Sequence, residues 1–99
     1  MLFMIVARHT ARNCPGGITR PDRQFTDKIE ENMKESGVSV IGGYLDAPGH
    51  TFYFVIDAKD NVSLNNALEQ FRLVGNVRFY PVMKWSEAIA WTKTIGIQE

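Results

Sequence analysis

Two histidines, one cysteine and two arginines are the residues of this sequence best suited to chemistry. His9 and Cys14 lie five positions apart with Arg8 and Arg12 beside them, and His50 follows much later in the chain. Imidazole changes protonation near neutral pH, so His9 suits proton transfer or metal binding. Neighbouring cations lower the pKa of a thiol, so Cys14 suits a nucleophile, a thiolate ligand or a redox sensor.

Each of these residues also has a purely structural interpretation. His9 can hydrogen-bond the loop that follows it and fix the course of that loop. Cys14 can be a small buried apolar side chain within the same loop. His50 follows a turn and, taken alone, is typical of a surface histidine. The types of residue therefore leave both interpretations open.

Together, His9, Cys14 and His50 would give a transition metal two nitrogens and one sulfur. His9 lies at the end of the first predicted strand and His50 at the start of the third. The relative direction of these two strands therefore decides whether one chain can assemble such a site. We take these two strands to run parallel, which places the two histidines at opposite ends of about eight residues at ~3.3 Å each. A shared metal site is therefore expected only between subunits.

Other side chains suit the binding of a small molecule. Arg8 or Arg12 could anchor an anionic group, and Tyr53 and Tyr80 could supply polar handles on an apolar wall. Tyr44 and Trp85 could line the same cavity. Aromatic side chains serve ordinary core and interface packing equally well, so this assignment has a structural alternative too.

Composition limits the classes of protein to consider. The 99 residues fit a single domain spanning 1–99, and 44% hydrophobic with 22% charged residues is typical of a globular protein. Eleven basic and eleven acidic side chains cancel, which disfavours nucleic acid as a partner. The apolar run 1–7 is too short for a signal peptide or a membrane span, so no membrane partner is expected. A lone cysteine is consistent with a reducing, cytoplasmic location.

Hydrophobic periodicity and turn residues predict an α+β domain of the ferredoxin-like β-α-β-β-α-β type with a short C-terminal helix. Apolar alternation predicts strands, of which the fourth contains Pro81 and is therefore expected at a sheet edge. The predicted strands are 2–9, 38–45, 51–57 and 77–83, and the predicted helices are 20–36, 61–75 and 87–95. The strands of this fold lie in the order 4-1-3-2, with the first two helices on one face of the sheet.

The opposite face of that sheet has no covering helix in this plan. The central strands carry large apolar residues on both sides, which is more apolar surface than soluble monomers usually expose. We therefore expect a homodimer that packs sheet against sheet, the dimeric α/β barrel. At about 25 cal/mol per Å², burying this apolar face would contribute roughly 10 kcal/mol before the cost of association is subtracted.

Several short segments carry a resemblance to known proteins: His9-Thr10 with Cys14-Pro15, 49–53 entering the third strand, 81–83, and Glu87-Ala88. On these segments the chain resembles the dimeric α/β-barrel superfamily and, within it, small uncharacterised prokaryotic proteins with a Cys-Pro loop after the first strand. Members of this superfamily include cofactor-free monooxygenases, isomerases, haem-degrading enzymes and ligand-sensing domains, so the resemblance selects no function. The sequence lacks the asparagine-tryptophan-histidine arrangement of the haem-degrading group.

The leading hypothesis is a small-molecule site at the mouth of the barrel that works without an organic cofactor. In it His9 carries a proton, Cys14 is a nucleophile or an electrostatic neighbour, and Arg8 or Arg12 binds an anionic group of the substrate. The alternatives are a binding or sensing module with the same cavity but no turnover, and a metal site between subunits. Whether the protein is an enzyme stays open at this stage.

Overall fold

A computed structural model describes residues 1–10, 24–73 and 75–96 of the chain. Its elements are β1 (Leu2–His9), α1 (Gln24–Glu35), β2 (Val38–Asp46), β3 (Thr51–Ala58), α2 (Asn61–Arg72), β4 (Gly75–Val82) and α3 (Trp85–Thr94). The order of elements matches the sequence prediction, including the short last helix. The start of the first predicted helix, 20–23, lies outside the described residues.

The four strands form one antiparallel sheet in the order β2-β3-β1-β4. This is the predicted strand order, with β1 and β3 central and β4 at an edge, where Pro81 is tolerated because an edge strand needs no donor on its outer side. The structure is therefore a small α+β fold with three helices in its described part, and it is compatible with a ferredoxin-like plan.

The prediction that β1 and β3 run parallel is wrong. The crossover through α1 makes β1 parallel to β2, and the β2–β3 hairpin reverses the chain, so β3 must run antiparallel to β1. The observed register pairs Leu2 with Asp57 and Arg8 with Thr51. The end of β1 and the start of β3 consequently lie side by side, which changes the expectation for the two histidines.

The core lies between the sheet and the two helices α1 and α2. Alternate residues of the central strands point to it and are buried: Phe3, Ile5, Ala7, Phe52, Phe54 and Ile56. The helices cover this core with buried residues at helical spacing, Ile29 and Met33 of α1 and Leu64 and Phe71 of α2. The other set of strand residues forms the open face of the sheet, which contains Leu2, Met4, Val6, Tyr53, Val55, Tyr80 and Val82 and is partly or fully exposed in the single chain.

Local details refine the predicted boundaries. The pairing of β2 with β3 is irregular beside the glycine pair Gly42-Gly43, with a register shift between Val40 and Gly42. Helix α2 is capped by Asp60, whose side chain accepts a hydrogen bond from the Ser63 N–H. Gly75 begins β4 instead of ending the helix, because it pairs with His9 across the ladder.

The last helix, α3, differs from the other two. It contains no buried residue and packs extensively against no other described helix or strand. Among the described helices, none combines the length and the apolar character that crossing a bilayer requires.

Candidate functional site

The tight turn between β2 and β3 positions His50. The Gly49 N–H donates to Asp46 Oδ1 at 3.0 Å, and the His50 N–H donates to the Ala47 carbonyl at 3.2 Å. His50 itself adopts a positive φ of 51°, a left-handed conformation that is uncommon for residues with a side chain. Gly49, one residue earlier, is not in this conformation. The turn thus places an imidazole where a glycine would be less strained.

The last residue of β1 brings the second imidazole to the same place. The His9 N–H donates to the His50 carbonyl at 3.0 Å, so the two backbones are joined directly. The two rings lie edge to face with centroids 5.3 Å apart. The His9 ring also lies 5.1 Å from the ring of Phe52, which belongs to the core. One chain therefore assembles the histidine pair, and the expectation that it requires two subunits is wrong.

His9 is buried, yet its ring has no hydrogen-bond partner among the described residues. Only 5% of the residue is exposed, and neither Nδ1 nor Nε2 is paired within that part of the chain; Nδ1 of His50 is in the same state. Leaving a buried polar group unpaired costs about 1–3 kcal/mol. Such groups are rare in folded proteins and call for an explanation, of which a role in binding or catalysis is one.

The electrostatics of the pair keep His9 neutral. Burial lowers the pKa of the His9 imidazole, because a charged ring is poorly solvated there, and the nearby His50 lowers it further by charge repulsion. A neutral imidazole at physiological pH can accept a proton, which a permanently protonated one cannot. The environment of His9 therefore suits a proton acceptor.

The histidine pair opens onto a cleft at one end of the sheet. This open cleft has a volume of about 750 Å³ and is formed by the end of β1, the turn before β3 and the connection from α2 to β4. Its described lining includes Arg8, His9, His50, Arg72 and Asn76, and no carboxylate. Arg72 is paired with Glu69 at 3.1 Å, but both side chains are exposed, so that pair competes weakly with a ligand. The cleft suits an anion.

The predicted substrate-binding residues do not all meet at this cleft. Tyr53 pairs with Val6 and Tyr80 pairs with Met4, so both tyrosines lie on the open face, opposite to the side on which His9 is buried. Arg8 also belongs to that face by alternation, although at the strand end it borders the cleft. A single site containing His9 and both tyrosines is therefore contradicted by the strand geometry.

Two further predicted residues, Cys14 and Arg12, lie outside the described residues. Within residues 1–10, 24–73 and 75–96, no three side chains of the His, Cys, Asp and Glu types come close enough together to hold a metal ion. His9 and His50 are the two members of the predicted metal set that the structure brings together.

Arg72 and Asn76 border the cleft but were missed by sequence reasoning. Both lie near the connection from α2 to β4. An antiparallel sheet in this order places the end of β1, the start of β3 and the start of β4 at the same end of the sheet. Tracing the strand directions correctly would have indicated that residues near 9, 50 and 75 share a site.

The fold and its cleft define a small α+β domain with a histidine pair at one end of an antiparallel sheet. The chain belongs to the DUF3303 family, a domain of unknown function, whose family model matches residues 1–96. No curated protein matches the sequence.

Proposed function

We propose that this protein binds a small anionic molecule in the cleft at the end of the sheet and that His9 exchanges a proton with it. The observation that carries the proposal is the buried His9 ring, whose two nitrogens have no partner among the described residues. A bound molecule that donates a hydrogen bond to this ring would satisfy a group whose isolation otherwise destabilises the fold.

Charge in the cleft supports an anionic ligand. Arg8 and Arg72 border it, and His50 adds a polar ring, while no carboxylate lines its described part. Hydrogen bonds between guanidinium groups and carboxylate or phosphate oxygens are shorter and stronger than neutral ones. An anion would thus be oriented by the arginines with its acidic proton toward His9. The proton would pass to the free nitrogen of His9 and return to the ligand, so no organic cofactor is required.

The proposal is tested by ligand binding and by proton exchange. Inorganic phosphate and a panel of small carboxylic acids are titrated while the thermal midpoint and the imidazole NMR signals are followed. We expect a ligand to raise the midpoint and to shift the His9 signals. Arg72→Gln should weaken binding about tenfold, and Arg78→Gln, which removes an exposed arginine from the open face, is the matched control.

Turnover separates an enzyme from a binding module. In heavy water, an enzyme that moves a proton at carbon should introduce deuterium into the bound carboxylic acid, and His9→Gln should abolish this while leaving the thermal midpoint within a few degrees. If a ligand binds but never exchanges a proton, the protein is a binding or sensing module. If none of the anions shifts either measurement, the proposal is wrong.

A transition metal is a second candidate ligand, because the spacing of the two rings is compatible with a shared ion. With metal–nitrogen bonds of 2.0–2.1 Å and a tetrahedral angle, two imidazole centroids would lie about 5 Å apart. The observed separation is 5.3 Å. His9 and His50 would supply two ligands, and Cys14 is the predicted third. Zinc, nickel or copper should then raise the thermal midpoint of the wild type but not of His50→Gln. An unchanged midpoint would eliminate the metal.

A further inference from the structure

The last helix, α3, has an apolar side that none of the described residues of its own chain buries. At 100° per residue, Trp85, Ile89, Trp91 and Ile95 fall within an arc of roughly 160°, and Glu87 and Lys93 lie outside it. Trp85 is 80% exposed and Trp91 50% exposed. Tryptophan is the side chain with the most apolar surface to bury, so a helix that exposes two of them is typical of one that packs on a partner.

Polar groups on α3 do not oppose such packing. Within the arc, the Thr92 hydroxyl donates to the Ile89 carbonyl at 2.8 Å, and beside the arc the Thr94 hydroxyl donates to the Trp91 carbonyl at 2.6 Å. Because these two hydroxyls are satisfied by the backbone of the helix, burying them costs little.

The open face of the sheet is the complementary surface on the same chain. Tyr80 and Val82 of β4 are exposed on it, and Met83 and Lys84 are the whole link from β4 to α3. A hollow of about 440 Å³ separates the first turn of α3 from the row formed by Leu2, Asp57 and Val82. The helix therefore starts on the side of the open face without lying on it.

We infer that α3 is an arm that packs across the open face of a second copy of this chain, so that two copies exchange their last helices. The surface areas support a second copy as the occupant. The exposed fractions of Tyr53, Tyr80, Val82, Trp85, Trp91 and Ile95 amount to roughly 450–750 Å² at 150–250 Å² per large side chain. Stable interfaces of standard size bury about 600–1,000 Å² per partner. Helix and sheet face together reach the lower part of this range, whereas either alone does not.

Charge also favours a second copy over a lipid surface. The chain carries equal numbers of basic and acidic residues, so two copies do not repel each other. Helices that bind lipid are rich in lysine and arginine on their polar side. The polar side of α3 carries Glu87 as well as Lys93, which gives it no net positive charge.

The two tryptophans, the only ones in the sequence, report on this contact directly. Sedimentation velocity and tryptophan fluorescence are measured on the full chain from about 1 µM to 1 mM. We expect a dimer in which the tryptophan emission is blue-shifted and protected from acrylamide, and both properties should be lost together on dilution. Trp91→Ser and, on the receiving face, Tyr80→Lys should each weaken the dimer at least about 30-fold.

The controls make each outcome decisive. Val62→Ser removes a 70% exposed apolar side chain from α2 and should leave the dimer unchanged. Circular dichroism melts verify that each variant is folded. Tryptophans that are protected in a monomer would show that α3 folds onto its own sheet, and a dimer with quenchable tryptophans would show another interface. Either result, or tryptophans that become protected only on lipid vesicles, overturns the inference.

Discussion

The two faces of strand β1 lie in different surroundings, although residues of the two faces alternate along the chain. Arg8 and His9 are adjacent, yet His9 ends the row of buried residues that faces α1 and α2, while Arg8 ends the row on the open face. On the covered face, the ring of His9 lies at the end of an apolar core and has no hydrogen-bond partner among the described residues. On the open face, apolar residues are exposed, and the helix beside them packs extensively against no other described element. Each face thus has one feature that the described part of the chain leaves without a partner, and the two features call for different partners.

This contrast explains why function in this fold is better sought at the strand ends than along the strands. Along the covered face, side chains are fixed by the packing of Ile5, Phe54 and Phe71 and are inaccessible. At the end of the sheet, the last residue of β1 keeps the rigid backbone of the ladder but borders a cleft. His9 therefore combines a fixed position with access to a ligand, which is what a binding or catalytic group needs.

The largest expected effect tests the covered face against the open one. Ile5 is fully buried, and Met4 beside it lies on the open face and is only partly buried. Ile5→Ala should lower the free energy of unfolding by about 3–4 kcal/mol. Met4→Ala should lower it by about 1 kcal/mol when measured in urea at a concentration that keeps the chain monomeric. Equal losses would mean that the open face is covered within one chain.

A second prediction concerns the close approach of β4 to the site. A Cβ atom at Gly75 would overlap the Arg8 carbonyl oxygen and lie 2.7 Å from His9 Cα. Gly75→Ala should therefore separate the two strands and lower the free energy of unfolding by about 2–3 kcal/mol. It should also shift the His9 imidazole signals in an NMR spectrum.

Gly42 is the matched control, because a Cβ there would meet nothing closer than Tyr44 at 3.8 Å. Gly42→Ala should change stability by less than about 1 kcal/mol. If Gly75→Ala were equally harmless, the close packing of β4 against the end of β1 would be wrong.

Most of the fold could be predicted from the sequence, because apolar periodicity and turn residues act locally. The helical spacing of Leu64, Ala67, Leu68 and Phe71 and the proline of β4 each identified an element and its place. The candidate site depended on strand direction, which no local pattern encodes. An error in the direction of β1 against β3 separated His9 from His50. Placing Tyr53 in one site with His9 was a separate error, because strand alternation alone places Tyr53 on the opposite face.

The strained turn supplies a third, smaller effect. His50 has a positive φ, which is a steric outlier for a β-branched residue but is tolerated by asparagine. His50→Val should lower the free energy of unfolding by about 1–2 kcal/mol relative to His50→Asn. Because both variants remove the imidazole, the difference between them isolates the backbone strain, and both should lose any response to a ligand of the histidine pair. Equal stability of the two would show that His50 is not held in this conformation in solution.

The smallest effect is the pH dependence that His9 contributes. The folded chain favours neutral His9, since burial and His50 lower its pKa below the value of about 6.5 found in unfolded chains. Between the lowered pKa and about 6.5 the unfolded chain binds more protons, so the free energy of unfolding is highest above about 6.5 and declines as the pH falls through that value. His9→Gln should flatten this part of the profile, measured by urea unfolding with a chelator present. The hydrogen bond from the Ser63 N–H lowers the pKa of Asp60, so this carboxylate changes the free energy of unfolding only at more acidic pH. Its contribution is the same in the wild type and in His9→Gln and cancels in the difference between them. A wild-type free energy of unfolding that instead declines, relative to that of His9→Gln, as the pH rises would mean that His9 is held as a cation and cannot accept a proton from a ligand.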